Sequence, residues 1–406
     1  MGVLVVGLNH KTAPLDLLER FAVDPSELPK ALFAARSSQH VREAVILSTC
    51  NRFEVYADVD AFPDGLGALR TFLAEFHHVD PADFVGRTYT MYEADAVEHL
   101  FAVTSGIDSM VIGEQQILTQ VRRALAAAVE ERTAGVTLSR LFRDAIKVGR
   151  RARRDTDISR NASTVGTAGV ELAEATLGPL SSKEAVVLGA GEMSEVAAAG
   201  LTARGAGVVI VNRTLARARS LAARVGGSAV AFETLGDAIA RADLVITSTG
   251  SAEPVITHDM IVPRDRPLVL IDLAVPRDVE PGLASEPGVR VLDIDDLRPI
   301  LVPDPAQQSE IERVRALIRA EVPKFVAWQR AHAIAPLLRA VTAKFAVFRE
   351  EATRQGGSAD GATRSVVAKI QHRIVEALKE TAGTAEGETL ARSLRKLFAL
   401  DDGEER

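Results

Sequence analysis

The segment Ala185-Val-Val-Leu-Gly-Ala-Gly-Glu-Met-Ser194 most narrows what this chain can fold into. A short apolar strand runs directly into paired glycines and then into residues with helical spacing. Gly189 permits a tight turn, and Gly191 lets the backbone approach an anion at the positive end of a helix. Over residues 183–295, short apolar runs at 185–188, 208–211, 244–247, 268–271 and 291–292 alternate with helical stretches. Buried strands separated by helix-length connections read as a parallel sheet with crossover helices.

Such a Rossmann-type unit takes a dinucleotide, and the end of its second strand, about 20 residues beyond the turn, selects which one. An NAD site presents an acid to the ribose there. This chain presents Asn212-Arg213-Thr214, a polar and cationic set suited to a 2′-phosphate. The expected cofactor is NADPH, held by Gly189, Ala190, Gly191, Glu192, Met193 and Ser194 on the turn and by Asn212, Arg213 and Thr214 beyond it. The turn could also merely pack a sheet of this kind without any cofactor.

The remaining sequence is too long to share that core. With 406 residues, 47% of them hydrophobic, the chain divides into two or three domains. Residues 1–157 mix strands at 3–8 and 45–49, an alternating run at 53–56, and helical spacing at 94–104 and 117–131, which gives an α/β or α+β domain. Residues 158–303 hold the sheet unit behind a leading helix, with Ser159, Asn161, Ser163 and Thr164 as capping candidates. Residues 304–406 are helical, with Pro323 and Pro336 expected to interrupt or kink them, a Gly-rich loop at 355–363 and a frayed end. The fold class is therefore α/β with an all-helical C-terminal domain. Helices without a sheet to cover make a poor core alone, which predicts a homodimer through that domain. No apolar run approaches the roughly 20 residues of a membrane span, and residues 1–10 lack a basic leader, so a cytoplasmic location is expected.

The chain has a single cysteine, Cys50. That excludes an internal disulfide and any multi-cysteine metal cage, and no metal site is expected. Cys50 follows an apolar run, and Arg52 stands two residues on. It is either an inert small hydrophobe or a nucleophile whose thiolate Arg52 favours. The stretch from His99 to Arg122 sets Ser105, Asp108, Ser109, Glu114, Gln115, Gln116 and Gln120 in an apolar frame. These groups either satisfy one another or bind a polar ligand. His99 on residue type alone is a core histidine more readily than a catalyst. Residues 143–154 carry six basic side chains and one acid, a stripe that fits RNA phosphates or a salt-bridged helix face. A net charge of −7 argues against general coating of nucleic acid.

Several segments in this order resemble the glutamyl-tRNA reductase family: Gly7-Leu-Asn-His10, Thr49-Cys-Asn-Arg52, the His99 to Arg122 stretch, Gly189-Ala-Gly-Glu-Met193, Val211-Asn-Arg-Thr214 and Ile271-Asp-Leu-Ala-Val-Pro-Arg-Asp278. The resemblance implies NADPH-dependent reduction of glutamyl-tRNA to glutamate 1-semialdehyde, the first step of the five-carbon route to 5-aminolevulinate and tetrapyrroles. It implies Cys50 as the nucleophile that forms a thioester, and His99 acting from nearby. Thr49, Asn51 and Arg52 would flank the glutamyl group, with Ser109, Glu114, Gln115, Gln116 and Gln120 lining its pocket. It also names the downstream glutamate-1-semialdehyde aminomutase as a candidate partner. Gln115, where proline is common in the family, and Ser194 depart from its pattern. Two other readings use the same nucleotide module: a shikimate-dehydrogenase-like NADP oxidoreductase with no essential thiol, and a non-catalytic NADP- or tRNA-binding scaffold.

Overall fold

The computed structural model describes residues 2–49, 51–114, 116–159, 165–251, 253–354 and 361–400, and side chains for all of these except 348–354 and 361–366. The cap candidates Asn161, Ser163 and Thr164, residues 355–360 of the expected loop and residues 401–406 lie outside that description.

The first sheet is antiparallel. Its strands β1 (Gly2–Asn9), β2 (Val41–Thr49), β3 (Arg52–Val59) and β4 (Tyr89–Tyr92) lie in the order β2-β3-β1-β4. The sequence pattern suggested a β3 with alternating inward and outward side chains, yet every residue of β3 is buried. The reason is its place between β2 and β1, with helices packed on the sheet. Register places Asn9 and Thr49 on either side of Arg52, at the end where β2 passes into β3. The short edge strand β4 has no apolar alternation to announce it. The expected helices are Ala94–Ser105 and Gln116–Glu130, followed by Val136–Asp155.

The second sheet is parallel throughout. It comprises β5 (Glu184–Leu188), β6 (Gly207–Val211), β7 (Ser228–Val230), β8 (Leu244–Thr247), β9 (Leu268–Asp272) and β10 (Val289–Asp293), in the order β10-β9-β8-β5-β6-β7. Successive residues on each strand enter separate cores. Val187, Ile210, Ile246 and Ile271 join one, while Val186, Leu188, Val245 and Leu270 join the other. A sheet covered on both faces explains why its strands read as unbroken apolar runs. Strand order reverses between β5 and β8, which opens a crevice at their carboxyl ends.

The helix Pro305–Arg354 continues through Pro323 and Pro336 and is not interrupted at either. By internal contacts the chain forms two compact units, one from Gly2 to Arg319 and one from Ala320 onward. Within the first, Ile311, Val314 and Ile318 are buried, Glu310 accepts the Asp157 N–H at 2.8 Å, and Arg313 donates to the Asp155 carbonyl at 2.9 Å. Within the second, Leu337, Val341, Phe345, Leu378 and Leu394 form a small helical core. Among the described residues, no helix is long and apolar enough to cross a membrane.

Candidate active site

A period of two puts Arg52, Glu54 and Tyr56 on one face of β3. Glu54 is wholly buried and Arg52 is 2% exposed. Arg52 Nη1 donates to Glu54 Oε1 at 2.6 Å, and its Nη2 donates to the Asp108 carbonyl at 2.5 Å. The Glu54 carboxylate also accepts from the Tyr56 hydroxyl at 2.7 Å and the Tyr89 hydroxyl at 2.5 Å, and it lies 2.9 Å from His99 Nε2. Burial alone would push the Glu54 carboxyl up, but the Arg52 charge and His99 outweigh it and hold the group ionised well below the usual carboxylate range. Burial likewise opposes the Arg52 charge, and Glu54 overcomes that opposition. Burial and then the Glu54 charge raise both tyrosines, so they remain donors. His10, pulled down to about 4 by burial and Arg52, is neutral at pH 7.

This network fixes a cation beside the β2–β3 turn. Asn51 is buried there, its carbonyl accepting the His10 N–H at 3.0 Å and its own N–H donating to Thr49 Oγ1 at 3.2 Å. The Glu54 carboxylate and the Asp108 carboxylate, 3.3 Å from Arg52 Nη2, balance that charge, so what the network supplies beside the turn is an ordered set of hydrogen-bonding groups. Cys50 itself lies outside the described residues, as does Gln115.

Arg153 ties both ends of the 104–114 segment, donating to the Thr104 carbonyl at 2.9 Å and the Glu114 carbonyl at 2.8 Å. Ser109 is buried, and burial raises the Glu114 carboxyl. Gln116 Nε2 donates to Glu192 Oε2 at 3.0 Å and so joins the expected substrate segment to the glycine turn. Gln120 sits one helical turn further on. Three of the six basic side chains in the stripe are in ion pairs, Lys147 with Asp144 and Arg151 and Arg154 with Asp155, while Arg153 turns inward.

At the β5–β8 crevice lies a cavity of about 400 Å³ lined by Gly189, Ala190 and Gly191, by Asn212, Arg213 and Thr214, and by residues 248–251. Gly189 has φ +120°, and a Cβ there would stand 2.6 Å from Ser194 Oγ and 2.9 Å from the Ser248 carbonyl, so only glycine fits. At Gly191 a Cβ would meet nothing within 4 Å, which leaves open space before the helix Glu192–Ala203. That opening at a helix N-terminus fits a pyrophosphate. Glu192, Met193 and Ser194 do not line the cavity. Ser194 is fully buried, and its hydroxyl shares a hydrogen bond with Ser248 Oγ at 2.7 Å, which explains a serine at a position usually small and apolar. Among the described residues, no group of three His, Cys, Asp or Glu side chains is placed to hold a metal.

Sequence reasoning missed Glu54, Tyr89 and the loop after β8. Glu54 was visible only as a polar residue two positions from Arg52, and the loop carries no spacing motif.

Comparison with known proteins covers almost the whole chain. Residues 6–156 match the family described as glutamyl-tRNAGlu reductase, N-terminal domain; residues 171–300 match shikimate / quinate 5-dehydrogenase; and residues 313–400 match glutamyl-tRNAGlu reductase, dimerisation domain. The chain is 38% identical to a glutamyl-tRNA reductase of Frankia casuarinae, over 98% of this chain and 96% of that one. It is 36% identical to the one of Bacillus subtilis, over 99% and 92%. Among solved structures, the glutamyl-tRNA reductase from Methanopyrus kandleri aligns with TM-score 0.55 and 32% identity, over 98% of this chain and 99% of that one.

Proposed function

The chain belongs to the glutamyl-tRNA reductase family, and from that premise we propose that it reduces glutamyl-tRNA to glutamate 1-semialdehyde with NADPH, opening the five-carbon route to tetrapyrroles. The observation that carries the reading is the buried Arg52–Glu54 pair at the start of β3, beside Thr49 and Asn51, with Arg52 bonded to the Asp108 carbonyl and Gln116, further along the Asp108 segment, bonded to Glu192 at the glycine turn.

The Cys50 thiolate would attack the ester carbonyl. The bond from acyl carbon to ribose oxygen breaks, the ribose hydroxyl leaves with a proton, and the glutamyl group stays on sulfur as a thioester. Arg52, Thr49 and Asn51 orient that group, and Ser109, Glu114, Gln115, Gln116 and Gln120 form the polar wall around it. His99, 2.9 Å from Glu54 Oε1, shares that carboxylate with Arg52 and would act on the reaction from nearby. The glycine turn with Asn212, Arg213 and Thr214 would hold NADPH at the crevice, where it would supply hydride to the thioester carbon; the carbon–sulfur bond then breaks, releasing the aldehyde and returning Cys50 as the thiolate. The match to a shikimate / quinate 5-dehydrogenase model is confined to residues 171–300, consistent with a shared nucleotide module rather than a shared reaction. An assay with glutamyl-tRNA and NADPH should yield a semialdehyde; NADPH binding without turnover would leave only a binding protein. The downstream aminomutase is the enzyme expected to consume that aldehyde.

Two further expectations follow from this reading. Arg213→Ala should weaken NADPH about tenfold while leaving NADH nearly unchanged, because a charge-assisted bond to the 2′-phosphate is lost. Equal losses for both in a binding titration would contradict it. The helices beyond Ala320 should pair two chains, so light scattering on the full chain at micromolar concentration is expected to report a dimer. A monomer there would refute the pairing.

A further inference from the structure

We propose that Ser251 sets the preference for a 2′-phosphorylated dinucleotide by holding the Arg213 guanidinium at the crevice without neutralising it. The proposal rests on the NADPH reading above and assigns a role to the loop after β8, which no sequence motif marks.

Arg213 Nη2 donates to Ser251 Oγ at 2.9 Å. Both residues line the cavity, yet Arg213 is exposed whereas Ser251 is 7% exposed. The hydroxyl is therefore a fixed post for a long side chain that would otherwise sample many rotamers. Its own position is determined from below. The Ser251 N–H donates to Thr249 Oγ1 at 3.2 Å. The Thr249 N–H donates to Asp278 Oδ2 at 2.7 Å, the Thr249 hydroxyl donates to Asp278 Oδ1, and the Thr247 hydroxyl donates to the same carboxylate. Asp278 is wholly buried. A chain of contacts thus runs from a buried carboxylate through Thr249 and Ser251 to the guanidinium at the cavity.

The chemistry of the last link is what selects phosphate. A carboxylate partner would neutralise Arg213 and compete with an incoming dianion. Among the described residues no carboxylate pairs with Arg213. A serine oxygen takes one of the guanidinium's five N–H donors, leaves the charge intact, and keeps its own proton to donate. Ordering the arginine before the ligand arrives removes a cost that binding would otherwise bear. NADH, with no phosphate at that position, gains nothing from the arrangement.

The test is a set of titrations of the full chain with NADPH, NADH and 2′,5′-ADP. Ser251→Ala is expected to weaken NADPH and 2′,5′-ADP about five- to tenfold and NADH less than about twofold, the scale of one ordinary net hydrogen bond, because Ser251 acts on the phosphate only through Arg213. Ser251→Thr, which keeps the hydroxyl, should restore the parental ratio. Ser251→Asp, which supplies the neutralising carboxylate, should lower the NADPH-to-NADH preference further than alanine. An unchanged ratio in Ser251→Ala beside a changed ratio in Arg213→Ala overturns the role of Ser251 alone. Unchanged ratios in both overturn the placement of the 2′-phosphate at Arg213, and this proposal with it.

Discussion

Cys50→Ser is expected to lower glutamyl-tRNA reduction by at least about a thousandfold while leaving NADPH affinity unchanged, since the hydroxyl is a far weaker nucleophile at neutral pH than a thiolate. The cofactor crevice is built from residues after β5, β6 and β8, so a change at position 50 should not reach it. The chain's single cysteine makes a second measurement clean. Incubated with glutamyl-tRNA and no reductant, the parent should gain the mass of one glutamyl group and the serine variant should not. Alkylation of the thiol should abolish turnover in the same way. Substantial reduction by the serine or alkylated protein would remove the thioester from the mechanism and favour direct reduction by a shikimate-dehydrogenase-like site.

The parts of this architecture that were legible in the sequence are those whose signals are local. The glycine turn declares itself within ten residues, because strand, positive-φ glycine and helix start are consecutive along the chain. The absence of an acid after Val211 is equally local. The charge network at β3 is different. Period two groups Arg52, Glu54 and Tyr56, but Tyr89 and the Asp108 carbonyl reach them across 35 and 56 residues, and no pattern in one sequence reports such distances. His99 read as an ordinary core histidine for the same reason: its meaning comes from Glu54, 45 residues away. The short edge strands β4 and β7 were missed because a strand with one paired neighbour needs little apolar content. Pro323 and Pro336 each remove a helix hydrogen bond, yet the 50-residue helix runs on through both. The basic stripe at 143–154 has an internal arrangement that a charge count does not report. Its intervening and following acids, Asp144 and Asp155, take up Lys147, Arg151 and Arg154, and Arg153 serves the interior.

Glu54→Gln is expected to be the most destabilising conservative change in the N-terminal sheet. Arg52, Tyr56 and Tyr89 all direct protons at one carboxylate, and His99 lies within hydrogen-bond distance of it. An amide replaces one of its acceptor oxygens with a donor. The tyrosine hydroxyls can rotate and His99 can change tautomer, but a guanidinium has no lone pair to offer. Arg52 would then keep a buried charge with only the partly exposed Asp108 opposite it, and losing one partner of a buried pair costs about 3–5 kcal/mol. For a domain of this size that corresponds to a fall in the melting midpoint on the order of 10 °C. The double change Arg52→Met with Glu54→Gln removes the orphaned charge, so it should melt above the single Glu54→Gln chain while remaining inactive. That separation distinguishes two contributions of the network. If stability returns and activity does not, Glu54 holds the fold and Arg52 serves the reaction. A Glu54→Gln protein that melts within about 2 °C of the parent, well below the shift expected for a broken buried pair, would mean the network's charges are compensated elsewhere and that Glu54 is not its centre.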